Sequence, residues 1–365
     1  MTIGVSPNGK NSYESPAPSN EILVGTASGI YSFTRSGPGG PWCESRRVLE
    51  GDHISSVLIE PTKGVIFVGT HESGLWASED NGETWERRDA GIPYENFYGL
   101  NCNQVGDELR IYAGTEPAHL WVSTDLGKSW RNHPGLRDVP SVNNWTFPGP
   151  PHLGHVKTIA FDPDDPHTMY VGVEVGGAFK TTDGGETWRE LNAAEFDVDV
   201  HRLMINPDRP SDVYMATGKG LFHSLTGGER WEPIPLPEGR ISYPDALVML
   251  PENPSLMFTA GAKQNPGAWR TTHAAFARVA RSRDAGQTWE YLEGGLPLEA
   301  RANIETITLE TYPGGFALFA GTTDGEVFFS DDEGEHWSTI AEGLPPIAKH
   351  GHKSLNPEFL AAASH

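Results

Sequence analysis

The stretch SEDNGETW, residues 78–85, decides how this chain folds, because close copies of it recur along the sequence. The copies are STDLGKSW at 123–130, TTDGGETW at 181–188, SLTGGERW at 224–231, SRDAGQTW at 282–289 and SDDEGEHW at 330–337. Trp42 stands at the equivalent place of a further unit that lacks the motif. Tryptophans that recur every 43 to 58 residues or so have the period of a propeller or a solenoid.

Each repeated unit contains strand-like runs in a constant order. Before the motif lies an apolar run that ends in a small residue, such as IFVGT at 66–70 and LFAGT at 318–322. Another run, ending near a proline, precedes it, such as HVKTIAFDP at 155–163. We therefore expect four short antiparallel strands per unit, with the motif as the turn between the third and the fourth. Seven such units predict an all-β, seven-bladed β-propeller over residues 21–357.

The two ends of the chain are predicted from what the seven units leave over. Residues 1–20 are polar, with neither a basic start nor an apolar core, and are predicted to be a flexible N-terminal arm. The first unit has no first strand, and HKSLNP at 352–357 is similar to the first strands of other units. We expect this C-terminal strand to complete the first blade and close the ring, followed by a tail at 358–365.

The repeated motif resembles the Asp-box, or BNR repeat, of the sialidase-like β-propellers. Its aspartate can accept backbone N–H bonds within the turn, its glycine permits a positive φ, and its tryptophan can pack between blades. Two copies depart from the pattern, with Thr226 in place of the aspartate and His336 in place of the threonine. The resemblance implies that the motif is scaffold and that it lies at the rim, opposite the active face.

The composition limits the classes of partner. The chain has 49 acidic and 27 basic residues and a formal net charge of −22, which argues against nucleic acid and anionic membranes as partners. No run is long and apolar enough to span a bilayer. Cys43 and Cys102 provide neither a disulfide framework nor a thiolate metal site. We expect a cytoplasmic protein with a small-molecule substrate, and a protein partner remains open.

Chain direction predicts which face carries chemistry. Because neighbouring strands run antiparallel, the loops that enter first strands and those that leave second strands share one face, opposite the motif turns. Two insertions, at 137–154 and 262–281, fall on that face, and so do nine of the fourteen histidines. Long loops on one face of a rigid scaffold usually carry function.

The residues assigned to this face form three overlapping groups. Those predicted to act in catalysis are His155, His201, Lys157, Glu305 and Tyr243. Those predicted to bind substrate are Glu116, Glu174, Trp145, Trp269 and Arg278. Those predicted to bind a metal are His53, His155, His201 and His352. Imidazoles beside carboxylates suit a divalent transition metal, and they equally suit metal-free acid–base chemistry. A water-filled channel lined by polar groups is the third interpretation.

These groups favour an enzyme of hydrolase or lyase type that acts on a small polar or aromatic molecule. The alternative is a non-catalytic scaffold that binds a protein segment on the same face. A sialidase is a further alternative, since the resemblance would have Arg202, Arg278 and Arg301 hold the substrate carboxylate and Tyr243 pair with Glu305. The arginine-containing stretch that this family has before its first repeat is absent, and histidine stands where the arginine is expected.

Overall fold

The computed structural model describes residues 1–191, 194–272, 274–297 and 301–349. Its strands form seven sheets, which confirms the predicted all-β, seven-bladed β-propeller. By internal contacts the chain divides into two compact units, residues 58–235 and residues 1–57 with those from 236 onward. The division falls within one strand, His53–Ile59.

The strands are short and follow one another closely along the chain. In chain order they are β1 (Thr2–Val5), β2 (Ser12–Glu14), β3 (Glu21–Thr26), β4 (Gly29–Thr34), β5 (Cys43–Val48), β6 (His53–Ile59), β7 (Ile66–His71), β8 (Leu75–Ser78), β9 (Glu86–Arg87), β10 (Asn96–Val105), β11 (Glu108–Glu116), β12 (Leu120–Ser123), β13 (Arg131–Asn132), β14 (His155–Phe161), β15 (Met169–Glu174), β16 (Gly177–Thr181), β17 (Arg189–Glu190), β18 (Val200–Asn206), β19 (Arg209–Thr217), β20 (Gly220–Ser224), β21 (Glu232–Ile234), β22 (Tyr243–Leu250), β23 (Asn253–Ala262), β24 (Arg278–Ser282), β25 (Glu290–Leu292), β26 (Ile304–Tyr312), β27 (Gly315–Thr322), β28 (Val327–Ser330) and β29 (Ser338–Ala341). The helices are α1 (Pro266–Thr272) and the 3₁₀ turns Pro134–Asp138, Pro140–Asn144 and Pro237–Gly239. No helix in the described ranges has the length and apolar character needed to cross a bilayer.

Five of the sheets consist of four consecutive antiparallel strands, as the repeat predicts. Their orders are β6-β7-β8-β9, β10-β11-β12-β13, β14-β15-β16-β17, β18-β19-β20-β21 and β22-β23-β24-β25. The second strand is buried along most of its length, and in β7 and β15 every residue is buried. Continuous burial indicates that both faces of the strand are covered, so the second strand lies in the interior of each blade.

The repeated motif forms the turn between the third and the fourth strand. In the first copy, Ser78 Oγ accepts the N–H of Gly82, and Asp80 accepts the N–H and the hydroxyl of Thr84. Trp85 Nε1 donates to the carbonyl of Gly82 at 3.1 Å. These hydrogen bonds, led by the one from the Thr84 hydroxyl, lower the pKa of Asp80 to about 2. The aspartate is therefore committed to the turn, in agreement with a structural role for the motif.

The two departures from the motif keep the same turn with different atoms. Where the aspartate is absent, the Thr226 hydroxyl accepts the N–H of Arg230 at 3.0 Å. Where the threonine is absent, His336 Nδ1 lies 2.7 Å from Asp332 Oδ2 and replaces the missing hydroxyl bond. The turn thus tolerates either substitution, because one hydrogen bond across it is retained in each case.

The N-terminal residues differ from the prediction of a flexible arm. Strand β1 pairs in parallel with β3, and β2 pairs in parallel with β26 in a sheet of order β2-β26-β27-β28-β29. Ile3 and Val5 are fully buried, and Tyr13 is nearly so. Between the two strands, backbone N–H groups of Asn8 and Lys10 donate to carbonyls of β6. Alternating apolar residues in a short polar segment produce this arrangement, since the apolar side chains gain burial between existing sheets.

The first blade is consequently completed in a different way from the one predicted. Its order is β1-β3-β4-β5, so the N-terminal strand occupies the place assigned to the C-terminal strand. Two neighbouring parallel strands cannot be joined by a hairpin. The segment of residues 6–20 is long enough to carry the chain from the end of β1 back to the end of the sheet where β3 begins. The strand predicted at 352–357 and the tail at 358–365 lie outside the described residues.

His133 gives the fold a dependence on pH that can be measured. Its ring is buried, and Nδ1 lies 3.2 Å from the carbonyl of Gly185 in the next motif turn. Burial, aided by the charge of Arg131, lowers the pKa of His133 to about 4. The folded pKa lies below the unfolded value of about 6.5, so the unfolded state binds the proton first and stability falls between about pH 6.5 and 4.

We expect His133→Asn to reduce this loss of stability by up to about 3 kcal/mol, because the amide keeps a donor for the Gly185 carbonyl and cannot be protonated. Urea unfolding of wild type and variant at several pH values between 7 and 4 measures it. The same substitution at the exposed His167 is the matched control for loss of one imidazole. Parallel pH profiles for wild type and His133→Asn would contradict the prediction.

Candidate functional site

A shift in strand pairing recurs near the start of five first strands. The register with the second strand slips between Phe97 and Leu100 in β10, and between Val156 and Thr158 in β14. It slips in the same way at residues 200–202, 244–246 and 304–306. Each slip is a bulge that adds one residue to the first strand, and bulges are known to re-aim side chains next to active sites. The added residues include Lys157, His201, Asp245 and Glu305.

One group of side chains lies at the bulged strand ends of the unit of residues 58–235. We call it the Glu174 cluster, and its members are Glu116, His155, Lys157, Glu174, Asp199 and His201. His155 begins β14 and is paired with Glu174 at the end of β15, so the predicted meeting of these strand ends is present. All members except Asp199 are at most 4% exposed. Their charges therefore act on one another in a medium of low dielectric constant.

Glu174 is the centre of this cluster. His155 Nε2 lies 2.6 Å from its Oε2, and Lys157 Nζ donates to its Oε1 at 2.9 Å. On the other side of the imidazole, His155 Nδ1 lies 3.5 Å from Glu116 Oε2. A single carboxylate thus binds two cationic side chains, and the imidazole lies between two carboxylates.

The electrostatics of the cluster favour the charged forms of His155 and Glu116. Burial would lower the pKa of His155, but the interactions with Glu116 and Glu174 raise it overall. Burial would raise the pKa of Glu116, but hydrogen bonds and the charge of His155 lower it overall. Asn96 Nδ2 and the Tyr98 hydroxyl contribute to that effect by donating to Glu116 at 3.0 and 3.3 Å.

Aromatic rings enclose the His155 imidazole. The ring of Tyr98 stacks on it with centroids 3.6 Å apart and planes 20° apart. The ring of Phe147 meets it edge-on at 5.0 Å. Phe147 belongs to the insertion at 137–154, so this insertion does cover part of the cluster. Such a cover can keep water from the charged groups beneath it.

His201 lies beside the Glu174 carboxylate, together with Asp199. His201 Nε2 is 3.3 Å from Asp199 Oδ1 and 3.8 Å from Glu174 Oε1. Ligand atoms from these three residues all lie within 4.8 Å of one another, a spacing at which they could share one metal ion. Gly218 makes room for the carboxylate, since a Cβ at that position would lie 2.5 Å from Asp199 Oδ2.

A second group lies in the unit of residues 1–57 and 236 onward. We call it the Asp245 cluster, and its members are Asp245, Asn303, Glu305 and Lys349. Lys349 Nζ donates to Asp245 Oδ1 at 2.7 Å. Asn303 Nδ2 donates to Asp245 Oδ2 at 2.7 Å and to Glu305 Oε1 at 3.0 Å. All four residues are at most 3% exposed, and the Lys349 ammonium lies 5.6 Å from the centre of the Tyr243 ring.

The predicted residues fall into two groups, one in each unit. His155, His201, Lys157, Glu116 and Glu174 are in contact within the Glu174 cluster, as described above. Glu305 belongs to the Asp245 cluster and Tyr243 lies next to it.

Three residues predicted to bind substrate have other contacts. Trp145 packs on Phe179, with ring centroids 5.0 Å apart, and its Nε1 donates to Ser141. Trp269, on helix α1, is fully buried in a small cluster with two alanines. Arg278 Nη1 donates to the carbonyl of Ala277, and its Nε lies 4.0 Å from Glu293. Both tryptophans pack against neighbouring side chains, because a large aromatic ring gains stability by burying its surface.

Of the four histidines predicted to bind a metal, His53, His155 and His201 lie within the described residues. His53 Nε2 lies 2.8 Å from the carbonyl of Ala348, and both nitrogens of His155 face carboxylates. His352 is outside the described residues. Within the parts of the chain that the structure describes, the group with metal-ligand spacing retains only His201 of the four.

The three predicted groups did not include Asp199, Asp245, Asn303 and Lys349, nor Tyr98 and Phe147 as the rings that contact His155. Asp199 and Asn303 lie directly before the first strands β18 and β26, in loops that chain direction assigns to the face opposite the motif turns. That position, close in sequence to His201 and Glu305, is the signal that points to both residues. Lys349 follows the last strand, β29, in a loop and carries no such signal.

Comparison with known proteins places the fold among solved structures. No protein-family model and no curated protein sequence match this chain. An ancestral GH74 enzyme matches with a TM-score of 0.61 and 18% identity, over 79% of this chain and 38% of the enzyme. YCF48 bound to D1 peptide matches with a TM-score of 0.55 and 16% identity, over 86% and 90% of the two chains. YCF48 from Cyanidioschyzon merolae matches with a TM-score of 0.51 and 14% identity, over 80% and 87%.

The likeness is one of fold. At these identities it carries over no residue and no activity to this chain. The chain spans about two fifths of the length of the GH74 enzyme. An enzyme and a peptide-bound protein both share the fold, so function has to be argued from the side chains.

Proposed function

We propose that this chain is an enzyme of hydrolase or lyase type that acts on a small polar or aromatic molecule at the Glu174 cluster. The observation that carries the proposal is the buried Glu174 carboxylate, which binds both Lys157 and His155. Buried ion pairs seldom add to stability when compared with well-packed apolar residues. A buried set of charges at bulged strand ends therefore favours function over a purely structural role.

The proposed chemistry is electrostatic stabilisation in a site that excludes water. Lys157 and His155 place positive charge where a substrate would develop negative charge, which is the largest single contribution in many enzymes. Glu116 and Glu174 hold those groups in position, and Phe147 covers the imidazole. The ancestral GH74 enzyme supports the enzymatic part as an example of catalysis on a similar fold.

The proposal extends to family and location. We propose that the chain is one of the Asp-box, sialidase-like propellers. In five of the six turns the serine or threonine hydroxyl accepts the N–H of the motif glycine and donates to the motif aspartate. We also propose a cytoplasmic protein, since neither Cys43 nor Cys102 takes part in a disulfide.

The test of the enzymatic proposal is a substitution at Glu174. In an NMR-monitored panel of esters, amides, glycosides and hydroxy acids, wild type should convert at least one compound. Glu174→Gln should lower kcat/KM for it by about 100-fold or more, because the variant no longer holds the Lys157 ammonium with a charge. Glu186→Gln, in an exposed ion pair with Arg131 at 3.1 Å, is the matched control and should retain wild-type activity. Equal activity of Glu174→Gln and wild type would overturn the proposal.

The scaffold alternative has one observation in its favour. Leu153 and Val198 are each 38% exposed and stand two and three residues before His155 and His201. Exposed apolar residues beside a functional face are typical of protein contact sites. YCF48 bound to D1 peptide is an example of a peptide complex on a similar fold. This alternative predicts that wild type converts no compound of the panel. It also predicts a protein partner whose binding is lost in the double variant Leu153→Glu/Val198→Glu and kept in Glu174→Gln.

A further inference from the structure

We propose that Glu174, Asp199 and His201 bind one divalent transition-metal ion of the zinc, manganese or iron class. The inference rests on the proposed function, because it supplies a cofactor to the same site. Metal binding is nevertheless measured without turnover, so the two proposals can fail separately.

The first argument is the separation of the ligand atoms. In a four-coordinate site with bonds of about 2.0–2.2 Å, neighbouring ligand atoms lie about 3.3–3.6 Å apart. His201 Nε2 is 3.3 Å from Asp199 Oδ1 and 3.8 Å from Glu174 Oε1. The remaining separation is no more than 4.8 Å and shortens if the Asp199 side chain rotates. Its carboxylate is 23% exposed, which leaves it room for that movement.

The second argument is the choice of donor atoms. One imidazole nitrogen with carboxylate oxygens suits Zn²⁺, Mn²⁺ and Fe²⁺, whereas Mg²⁺ and Ca²⁺ prefer oxygen alone. Three protein ligands leave at least one coordination position open, as in catalytic zinc sites. The site is therefore of the kind that accepts a substrate or a water in addition to its protein ligands.

The third argument is that other residues hold the Glu174 carboxylate and the Asp199 backbone in place. Glu174 is held by His155 and Lys157, and Asp199 by the N–H bond that it donates to Asp197 Oδ1 at 3.0 Å. The Asp199 carbonyl also accepts the N–H of Gly218 at 2.8 Å. Partners that orient metal ligands in this way commonly alter metal affinity 10- to 100-fold when removed.

The way in for an ion lies on the Asp199 side of the group. His201 and Glu174 are buried, whereas Asp199 is partly exposed and follows the exposed Val198. An ion can reach the group through this edge without displacing the aromatic cover on His155. His155 takes no part as a ligand in this proposal, because both of its nitrogens face carboxylates.

The test uses full-length protein with its affinity tag removed, dialysed against a chelator and then titrated with Zn²⁺ and Mn²⁺. Isothermal titration and elemental analysis should show about one ion per chain. Asp199→Asn and His201→Gln should each weaken binding by at least about tenfold. His336→Gln is the matched control, because His336 and Asp332 lie 2.7 Å apart on an exposed turn with no third ligand within the described parts of the chain.

Less than about 0.2 ion per chain in wild type would overturn the metal site, since a catalytic metal site is occupied one to one. Equal affinity in wild type, Asp199→Asn and His201→Gln would also overturn it, because binding would then be at surface groups. If His201→Gln does not fold, the metal affinity of Asp199→Asn still tests the proposal, because Asp199 is partly exposed. A bound ion without any conversion in the substrate panel would contradict the proposed enzymatic function and would still support the metal site.

Discussion

A chain without residues 1–15 is expected not to fold cooperatively. This segment supplies β1 to the sheet of β3 and β2 to the sheet of β26. It also donates a side-chain hydrogen bond from Asn11 Nδ2 to the Leu247 carbonyl at 3.1 Å. Its removal leaves unpaired edges on two sheets and opens apolar surface that Ile3, Val5 and Tyr13 cover. Such a loss approaches the whole stability of a domain, about 5–15 kcal/mol.

Circular dichroism, size-exclusion chromatography and urea unfolding measure this effect. A truncated chain that unfolds cooperatively at the wild-type midpoint would show that the segment is an accessory arm. Single substitutions measure part of the same effect. Ile3→Ala should lower the free energy of unfolding by about 2–5 kcal/mol, as for other fully buried isoleucines. Glu14→Ala, on the exposed side of β2, is the matched control and should stay within about 0.5 kcal/mol of wild type.

Lys349→Met is the second substitution from which we expect a large loss, about 3–5 kcal/mol of unfolding free energy. Lys349 and Asp245 are both at most 3% exposed, and their charged atoms are 2.7 Å apart. Removing the ammonium leaves the Asp245 carboxylate in the interior without its ionic partner. The Asn303 amide still donates a hydrogen bond to Asp245 Oδ2 at 2.7 Å, but it carries no charge.

The outcome separates an unpaired buried charge from a general packing defect. Adding Asp245→Asn to Lys349→Met should recover most of the loss, because the amide needs no counter-charge and can still accept from Asn303. Lys219→Met is the matched control: Lys219 is 77% exposed and pairs with Asp197 at 2.6 Å, so it should cost less than about 1 kcal/mol. Equal costs for the two lysines, or no recovery in the double variant, would refute the prediction. Urea unfolding at neutral pH provides all four values.

The repeat was sufficient to predict the blades because each turn is a local structure. The bonds of Asp80 and Thr84 span four residues, so the pattern of eight residues contains all that the turn requires. Strands β1 and β2 could not be predicted in the same way, since their partners lie elsewhere in the chain and pair in parallel. Burial of Ile3 and Val5 depends on surfaces that only the assembled sheets provide.

The candidate site was predictable in position and not in detail. The pairing of His155 with Glu174 follows from where a first strand begins and a second strand ends. The metal-ligand group does not follow, since the bulge at His201 is invisible in the residue pattern and brings that imidazole towards Asp199. Aromatic residues in the insertions were equally ambiguous: Phe147 covers the imidazole, whereas Trp145 is a packing residue.

The recurring shift in register gives each of these sheets one residue whose backbone is not paired with the neighbouring strand. Lys157, His201, Asp245 and Glu305 occupy that place in four different blades, and the four side chains differ in charge and shape. Mutation there changes what a blade presents at its end while the apolar interior behind it stays the same. Descendants of such a chain can therefore acquire new chemistry one blade at a time, without a change in strand pairing.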